Sequence, residues 1–104
     1  MDAVQRTLDY MSTFGSTIEL ANEIGATGVR GRRDHDPSEC LVARYVRAVS
    51  GVPVKAFPIS GIEEQVVTRT WAVPQVVARL IVQFDDGLFP ELVDGEVTHY
   101  PWPV

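Results

Sequence analysis

The stretch VPVKAFPISGIEEQVVTRTWAVPQVVARLIVQF, residues 52–84, decides the fold class of this chain. Residues 52–57 alternate between apolar and polar side chains, which predicts a strand, and Pro58-Ile-Ser-Gly61 has the composition of a turn. Residues 64–73 are rich in valine, threonine and tryptophan and are predicted to form the returning strand of a hairpin. Residues 62–64 leave the width of the connecting loop open.

An amphipathic helix follows the hairpin directly. Pro74 suits the start of a helix, and Asp85-Asp86-Gly87 ends it. Apolar side chains recur between these limits at helical spacing, at Val76, Val77, Leu80, Ile81 and Phe84. We therefore expect Val77, Leu80 and Ile81 to lie in the core. Residues 88–93 are predicted to form one more short turn.

The N-terminal segment is also predicted to be helical. An apolar stripe runs through residues 2–14, and Asp2 can cap its start. Ser16-Thr-Ile-Glu19 has the pattern of a capping box and opens a helical stretch that glycines end after residue 24. Whether residues 2–25 form one helix weakened at Gly15 or two helices is open.

A third helix is predicted over residues 36–49. Asp36-Pro37-Ser38-Glu39 combines an acidic cap, a proline at the first helical position and a glutamate three residues after the cap. Helical spacing places one apolar face inward, formed by Leu41, Val42, Tyr45, Ala48 and Val49. It places Cys40, Arg44 and Arg47 on the opposite face.

The predicted order is therefore helix, helix, helix, strand, strand, helix. A two-stranded hairpin needs a cover for its apolar face, and the helices are the only candidates. The chain is predicted to be a small α+β protein, with one domain over residues 1–96 and a tail rich in proline and aromatic residues over 97–104. Trp102 in this tail is a candidate docking residue for a partner or a cap on the core. Whether the tail is docked or free is open.

Composition narrows the classes of function. The net charge is −5, and the excess of acid lies after Lys55, where only Arg69 and Arg79 are basic. We expect a cytoplasmic protein, because the N-terminus lacks the features of a signal peptide, the chain has a single cysteine, and no apolar run is long enough to span a membrane.

The stretch GVRGRRDHD, residues 28–36, begins a basic region in the middle of the chain. Arginines that precede a helix N-terminus are suited to bind an anion. The candidate binding residues are Arg30, Arg32 and Arg33, extended by Arg44 and Arg47, with Trp102 as a separate candidate. In the competing interpretation Asp34, Asp36 and Glu39 occupy the helix terminus and neutralise these arginines, with no ligand.

Gly28-Val-Arg-Gly31 lies between two predicted helices and precedes two strands and a helix. Over about residues 16–84 this layout resembles that of a KH domain, in which a G-x-x-G loop clamps a nucleic-acid backbone. The chain departs from that pattern because residues 32–36 separate the glycines from the next helix, and because a helix stands where a KH domain has a strand. No family is assigned from this resemblance. A winged helix-turn-helix fits less well, because the loop before the third helix is long.

Candidate catalytic and metal-binding residues are few. Asp34, His35, Asp36 and His99 lack the spacing of a metal site, so we expect no metal and no cofactor. Cys40, near a helix start and one turn before Arg44, is a candidate reactive thiol with His35 as a base. The competing interpretation is an ordinary packing cysteine with an ordinary thiol.

These observations predict a small non-enzymatic module that binds a macromolecule. A protein partner ranks first, in an adaptor, inhibitor, immunity-like or regulatory role, with a homodimer as a further option. Nucleic-acid binding through the Arg30–Arg47 region ranks second, and a Cys40 thiol enzyme ranks third.

Overall fold

The computed structural model describes residues 2–33, 36–65 and 69–94. In this part of the chain the helices are α1 (Ala3–Met11), α2 (Thr17–Ala26), α3 (Leu41–Ser50) and α4 (Gln75–Asp85), and the strands are β1 (Val54–Phe57), β2 (Gly61–Glu64) and β3 (Thr70–Trp71). A 3₁₀ helix follows at Pro90–Leu92. The predicted α+β class and the order of helices, hairpin and helix are confirmed.

The N-terminal segment forms two helices, which answers the question that the sequence left open. Asp2 Oδ1 accepts a hydrogen bond from the backbone N–H of Gln5 at 2.7 Å, and Ser16 Oγ accepts one from Glu19 at 3.2 Å. Both predicted caps are therefore confirmed. The backbone bond from Gln5, with a further bond from Trp71 Nε1, lowers the pKa of Asp2.

The predicted returning strand over 64–73 is wrong in its position. β2 begins at Gly61 and pairs antiparallel with β1, with Lys55 opposite Glu63. Gly61 has a φ of +100°, a conformation that glycine adopts without strain, so the chain reverses directly after Ser60. Among the described residues 69–73, Thr70 and Trp71 form the short strand β3, which pairs with β2 and adds a third strand.

The predicted start of the third helix is also wrong. Residues 37–39 form a turn that Asp36 caps, with Asp36 Oδ1 accepting the Ser38 N–H at 2.9 Å. Pairing with other segments holds this turn out of the helix: Ala56 of β1 donates to Pro37 O at 2.9 Å, and Arg32 donates to Glu39 O at 2.9 Å. α3 therefore begins at Leu41.

The inward face of α3 differs from the prediction at both ends of the helix. Leu41, Val42 and Tyr45 are buried as expected. Ala48 and Val49, in the last turn of α3, are exposed, Val49 at 54% of its surface. Cys40, predicted on the outer face, is only 6% exposed because it precedes the helix as its cap.

The core lies where α3 and α4 pack against each other and against β1, with α1 on α3 and α2 on α4. α4 has the predicted core face, since Val77, Leu80, Ile81 and Phe84 are all buried. Burial of each such side chain stabilises the fold by about 1.5–3 kcal/mol. Within the described residues, no helix is long and apolar enough to cross a bilayer.

The C-terminal part of the described chain is hydrogen-bonded to the loop after α2. Gly31 donates to Leu92 O at 2.9 Å, and Asp94 donates to Gly31 O at 2.7 Å. These bonds form an isolated parallel bridge between Gly31 and Val93. The bridge holds Gly31 beside Val93, and Arg33, two residues later, contacts the end of α4.

Candidate functional site

Arg33 turns into the protein and binds the C-terminal end of α4. Its Nε donates to Phe84 O at 2.7 Å, and its Nη2 donates to Leu88 O at 2.8 Å. The guanidinium carbon also lies 4.9 Å from the centroid of the Phe84 ring. A cation at the C-terminal end of a helix is favoured by the helix dipole and can hydrogen-bond its last carbonyls. Arg33 therefore acts as a cap for α4.

Arg44 is the centre of a second cluster of contacts. Its Nη2 lies 2.8 Å from Glu39 Oε1, and its Nη1 lies 2.9 Å from Asp94 Oδ2. The same Nη1 donates to Arg30 O at 3.2 Å. Burial lowers the pKa of Arg44, but the bonds to Asp94 and Glu39 outweigh burial and raise it overall. Arg44 thus joins α3 to the loop after α2 and to the C-terminal segment.

The remaining predicted arginines differ in their surroundings. Arg30 folds back along its own loop, and its Nη1 donates to Val29 O at 2.9 Å. Arg47 lies 3.8 Å from Glu39 Oε2. Arg32 is exposed, and its charge contributes to lowering the pKa of Asp36, after the larger effect of hydrogen bonds from Ser38.

The structure thus brings the five predicted arginines to one region of the surface. Arg33 and Arg44 donate from most of their guanidinium nitrogens to protein carbonyls or carboxylates. Arg30 and Arg47 each use one nitrogen in this way. Glu39 pairs with Arg44 and Arg47 in the way that the neutralising interpretation expected. Binding of a polyanion by this region stays a prediction, and Trp102 lies outside the described residues, as do Asp34, His35 and His99.

The G-x-x-G loop is built differently from an open nucleic-acid clamp. Gly28 has a φ of +86° and open space around its α-carbon. Gly31 is buried, and a side chain there would collide with the backbone of Leu41. The second glycine is therefore required by close packing of the loop on the start of α3, which gives this motif a structural reason without a ligand.

Cys40 caps α3 through its sulfur. The backbone N–H of Ala43 donates to Cys40 Sγ at 3.4 Å. Burial raises the pKa of the Cys40 thiol, and the carboxylates of Asp85 and Asp36 add to this effect. The side chain borders a small cavity of about 110 Å³ that both carboxylates also line. A thiol in these surroundings stays protonated at neutral pH and is a poor nucleophile.

No group of three or more histidine, cysteine, aspartate or glutamate side chains with metal-binding geometry occurs among residues 2–33, 36–65 and 69–94.

A groove of about 230 Å³ lies between α1 and α3 and is lined by Tyr10, Tyr45 and Val49. The hydrogen bond from the Tyr10 hydroxyl to Glu23 raises the pKa of Tyr10, and burial raises the pKa of Tyr45. Both phenols are therefore neutral at physiological pH.

A larger groove lies between α4 and the β1–β2 turn. We call it the α4 surface and define it by Pro58, Ile59, Ala78, Arg79 and Val82, which line a cavity of about 420 Å³. Ile59 is 95% exposed and Val82 is 45% exposed. Arg79 is exposed, and its guanidinium has no hydrogen bond or ion pair with any residue that the structure describes.

Sequence reasoning missed the α4 surface. One signal was present, because Val82 falls on the polar side of α4, away from the apolar stripe through Leu80 and Phe84. A single apolar residue in such a place is common and indicates nothing alone. Ile59 lies in the β1–β2 turn, 23 positions before Val82 in the sequence, and only the folded chain places the two side chains in one groove.

The sequence matches no protein-family model, no curated protein and no solved structure at a significant level.

Proposed function

We propose that this chain is a small protein-binding module without a catalytic role, and that it contacts its partner through the α4 surface. The observation that carries the proposal is that Ile59 and Val82, both exposed, line one groove with Arg79, whose guanidinium has no ion pair among the residues that the structure describes. Protein interfaces combine an apolar centre with arginine at higher frequency than the rest of a protein surface. The fit between this groove and that pattern ranks protein binding first.

Two further observations support this ranking over the alternatives. Arg33 and Arg44 donate hydrogen bonds to groups within the protein, so the basic region has fewer N–H groups that could bind phosphate. The raised pKa of Cys40 disfavours a thiolate nucleophile.

We place the module in the cytoplasm, since a single buried thiol is compatible with a reducing compartment.

The test compares the chain with variants of the α4 surface in its native cells. The double variant Ile59→Glu with Val82→Glu places charge in the groove, and Ile18→Glu is the matched control, because Ile18 is 62% exposed but lies on α2. Denaturation curves first establish that all three proteins fold. Crosslinked partners are then identified, purified and titrated directly against each protein.

We expect a purified partner to bind the wild-type chain and Ile18→Glu alike and to lose binding to the double variant. Equal binding by the double variant would contradict the assignment of the α4 surface. A chain that binds no protein directly would contradict the proposed function itself.

A further inference from the structure

The outer face of α4 carries one positive and one negative charge on either side of an apolar residue. Arg79 precedes Val82 by three positions, and Asp86, the C-cap residue of α4, follows it by four, so helical spacing places the three residues along one side of the helix. All three are exposed. Within the described ranges, neither the Arg79 guanidinium nor the Asp86 carboxylate has a side-chain hydrogen bond or an ion pair. Ala78, one turn before Val82, leaves room for a close approach.

We infer that the partner of the α4 surface is a second copy of this chain, with the two α4 helices packed antiparallel about a two-fold axis beside Val82. This inference rests on the proposed function and names its partner. In such a pair, a residue three positions before the axis lies beside the residue three positions after it on the other helix. Arg79 of each copy then lies on the same side of the contact as Asp86 of the second copy, and the two positions are offset along the helix axis by only one helical rise, about 1.5 Å.

Charge complementarity decides in favour of this arrangement. The two-fold axis forms the Arg79–Asp86 pair twice, places Val82 against Val82 of the second copy, and leaves Ile59 to cover the edge of the contact. A parallel pair would instead bring Arg79 against Arg79 and Asp86 against Asp86, which is repulsive. The charges of Arg79 and Asp86 cancel, so the excess negative charge of the chain, −5 in total, does not lie within the contact.

The contact is small. α4 has 11 residues, so one helix and one turn from each copy fall short of the roughly 800 Å² per partner that standard interfaces bury. We therefore expect a weak dimer, with a dissociation constant in the micromolar range, that forms as the protein concentration rises.

The test measures the mass of the full chain by sedimentation velocity from low micromolar to millimolar concentration. The wild-type chain and the control Ile18→Glu should form a dimer, and Val82→Glu should remain a monomer. Arg79→Glu and Asp86→Arg should each weaken dimerisation at least about tenfold, because a pair made twice becomes repulsive. The double variant Arg79→Glu with Asp86→Arg should restore the dimer, an effect that a merely destabilised fold does not produce.

Three results would overturn the inference: a wild-type chain that is monomeric up to millimolar concentration, a dimer that Val82→Glu leaves intact, or a double variant that fails to restore the dimer. A monomeric chain that binds another protein through Ile59 and Val82 overturns this inference alone. A monomeric chain that binds no protein overturns the proposed function as well.

Discussion

Replacement of Arg33 by glutamine should lower the free energy of unfolding by about 2 kcal/mol. The change removes the guanidinium that donates to Phe84 O at 2.7 Å and to Leu88 O at 2.8 Å. Phe84 O then keeps the backbone N–H of Gly87, at 3.2 Å, and Leu88 O loses its side-chain donor. The favourable positive charge at the C-terminal end of α4 is also lost.

The magnitude follows from the exposure of each bond. A hydrogen bond from a charged donor contributes about 1.5–3 kcal/mol when it is shielded from water. The bond to Phe84 is partly buried and contributes near the lower end of that range, whereas the bond to Leu88 is exposed and contributes less. The contact with the Phe84 ring adds about 0.5–1 kcal/mol. Ordering the arginine side chain offsets part of the sum, by up to about 2 kcal/mol.

The assay is equilibrium unfolding in urea, analysed for both the midpoint and the slope. Arg33→Lys separates the two causes, because lysine keeps the charge at the helix end but cannot reach both carbonyls with one planar group. We expect it to lose about half as much free energy as Arg33→Gln. Arg6→Gln is the matched control, since Arg6 is exposed on α1 and its guanidinium has no hydrogen bond or ion pair with the described residues.

A loss below about 0.5 kcal/mol for Arg33→Gln, equal to that of the control, would refute the reasoning. The guanidinium would then not hold the end of α4, and it would be available for a ligand. That result would favour the interpretation of the basic region as an anion-binding site.

Four other predictions concern the core, the loop, the thiol and the basic region. Leu80→Ala should cost about 2–5 kcal/mol in the same assay, because Leu80 is fully buried, and a loss below about 1 kcal/mol would mean that α4 packs differently. Gly31→Ala should cost at least about 1–3 kcal/mol, because the added carbon would collide with the backbone of Leu41, and an unchanged midpoint would contradict that close approach. Cys40 should be alkylated slowly when folded and quickly in denaturant, with a pH midpoint above the ordinary value of about 8.5, and a midpoint well below it would revive the thiol enzyme. Mixed oligonucleotides at about 0.15 M salt should bind more weakly than micromolar, and tighter binding that is lost in Arg32→Glu would rank nucleic acid first.

The arginines show how far the candidate site could be predicted from the sequence. Their identity and clustering were visible in the chain, and the neutralising partner Glu39 lay close by. The role of Arg33 was not visible, because its acceptors Phe84 and Leu88 are more than 50 positions away. Every residue has a backbone carbonyl, so the sequence does not indicate which carbonyls will accept a hydrogen bond from a distant side chain. For the same reason the α4 surface, which joins a turn to a distant helix, appears only after folding.

Elements that depend on neighbours within four residues were determined by the sequence itself. The caps at Asp2 and Ser16 and the apolar stripe of α4 are of this kind, because a capping bond and a helical face both close within one or two turns. The α+β class follows from these elements together with the hairpin.

Tertiary structure decided the elements in which a local preference met a competing long-range bond. The segment after Asp36 has every local feature of a helix start, yet Pro37 O and Glu39 O accept hydrogen bonds from Ala56 and Arg32, and α3 begins only at Leu41. A cap contributes about 1 kcal/mol, and two backbone bonds between packed segments contribute as much or more. The folded chain therefore sets where this helix begins, which local propensity could not.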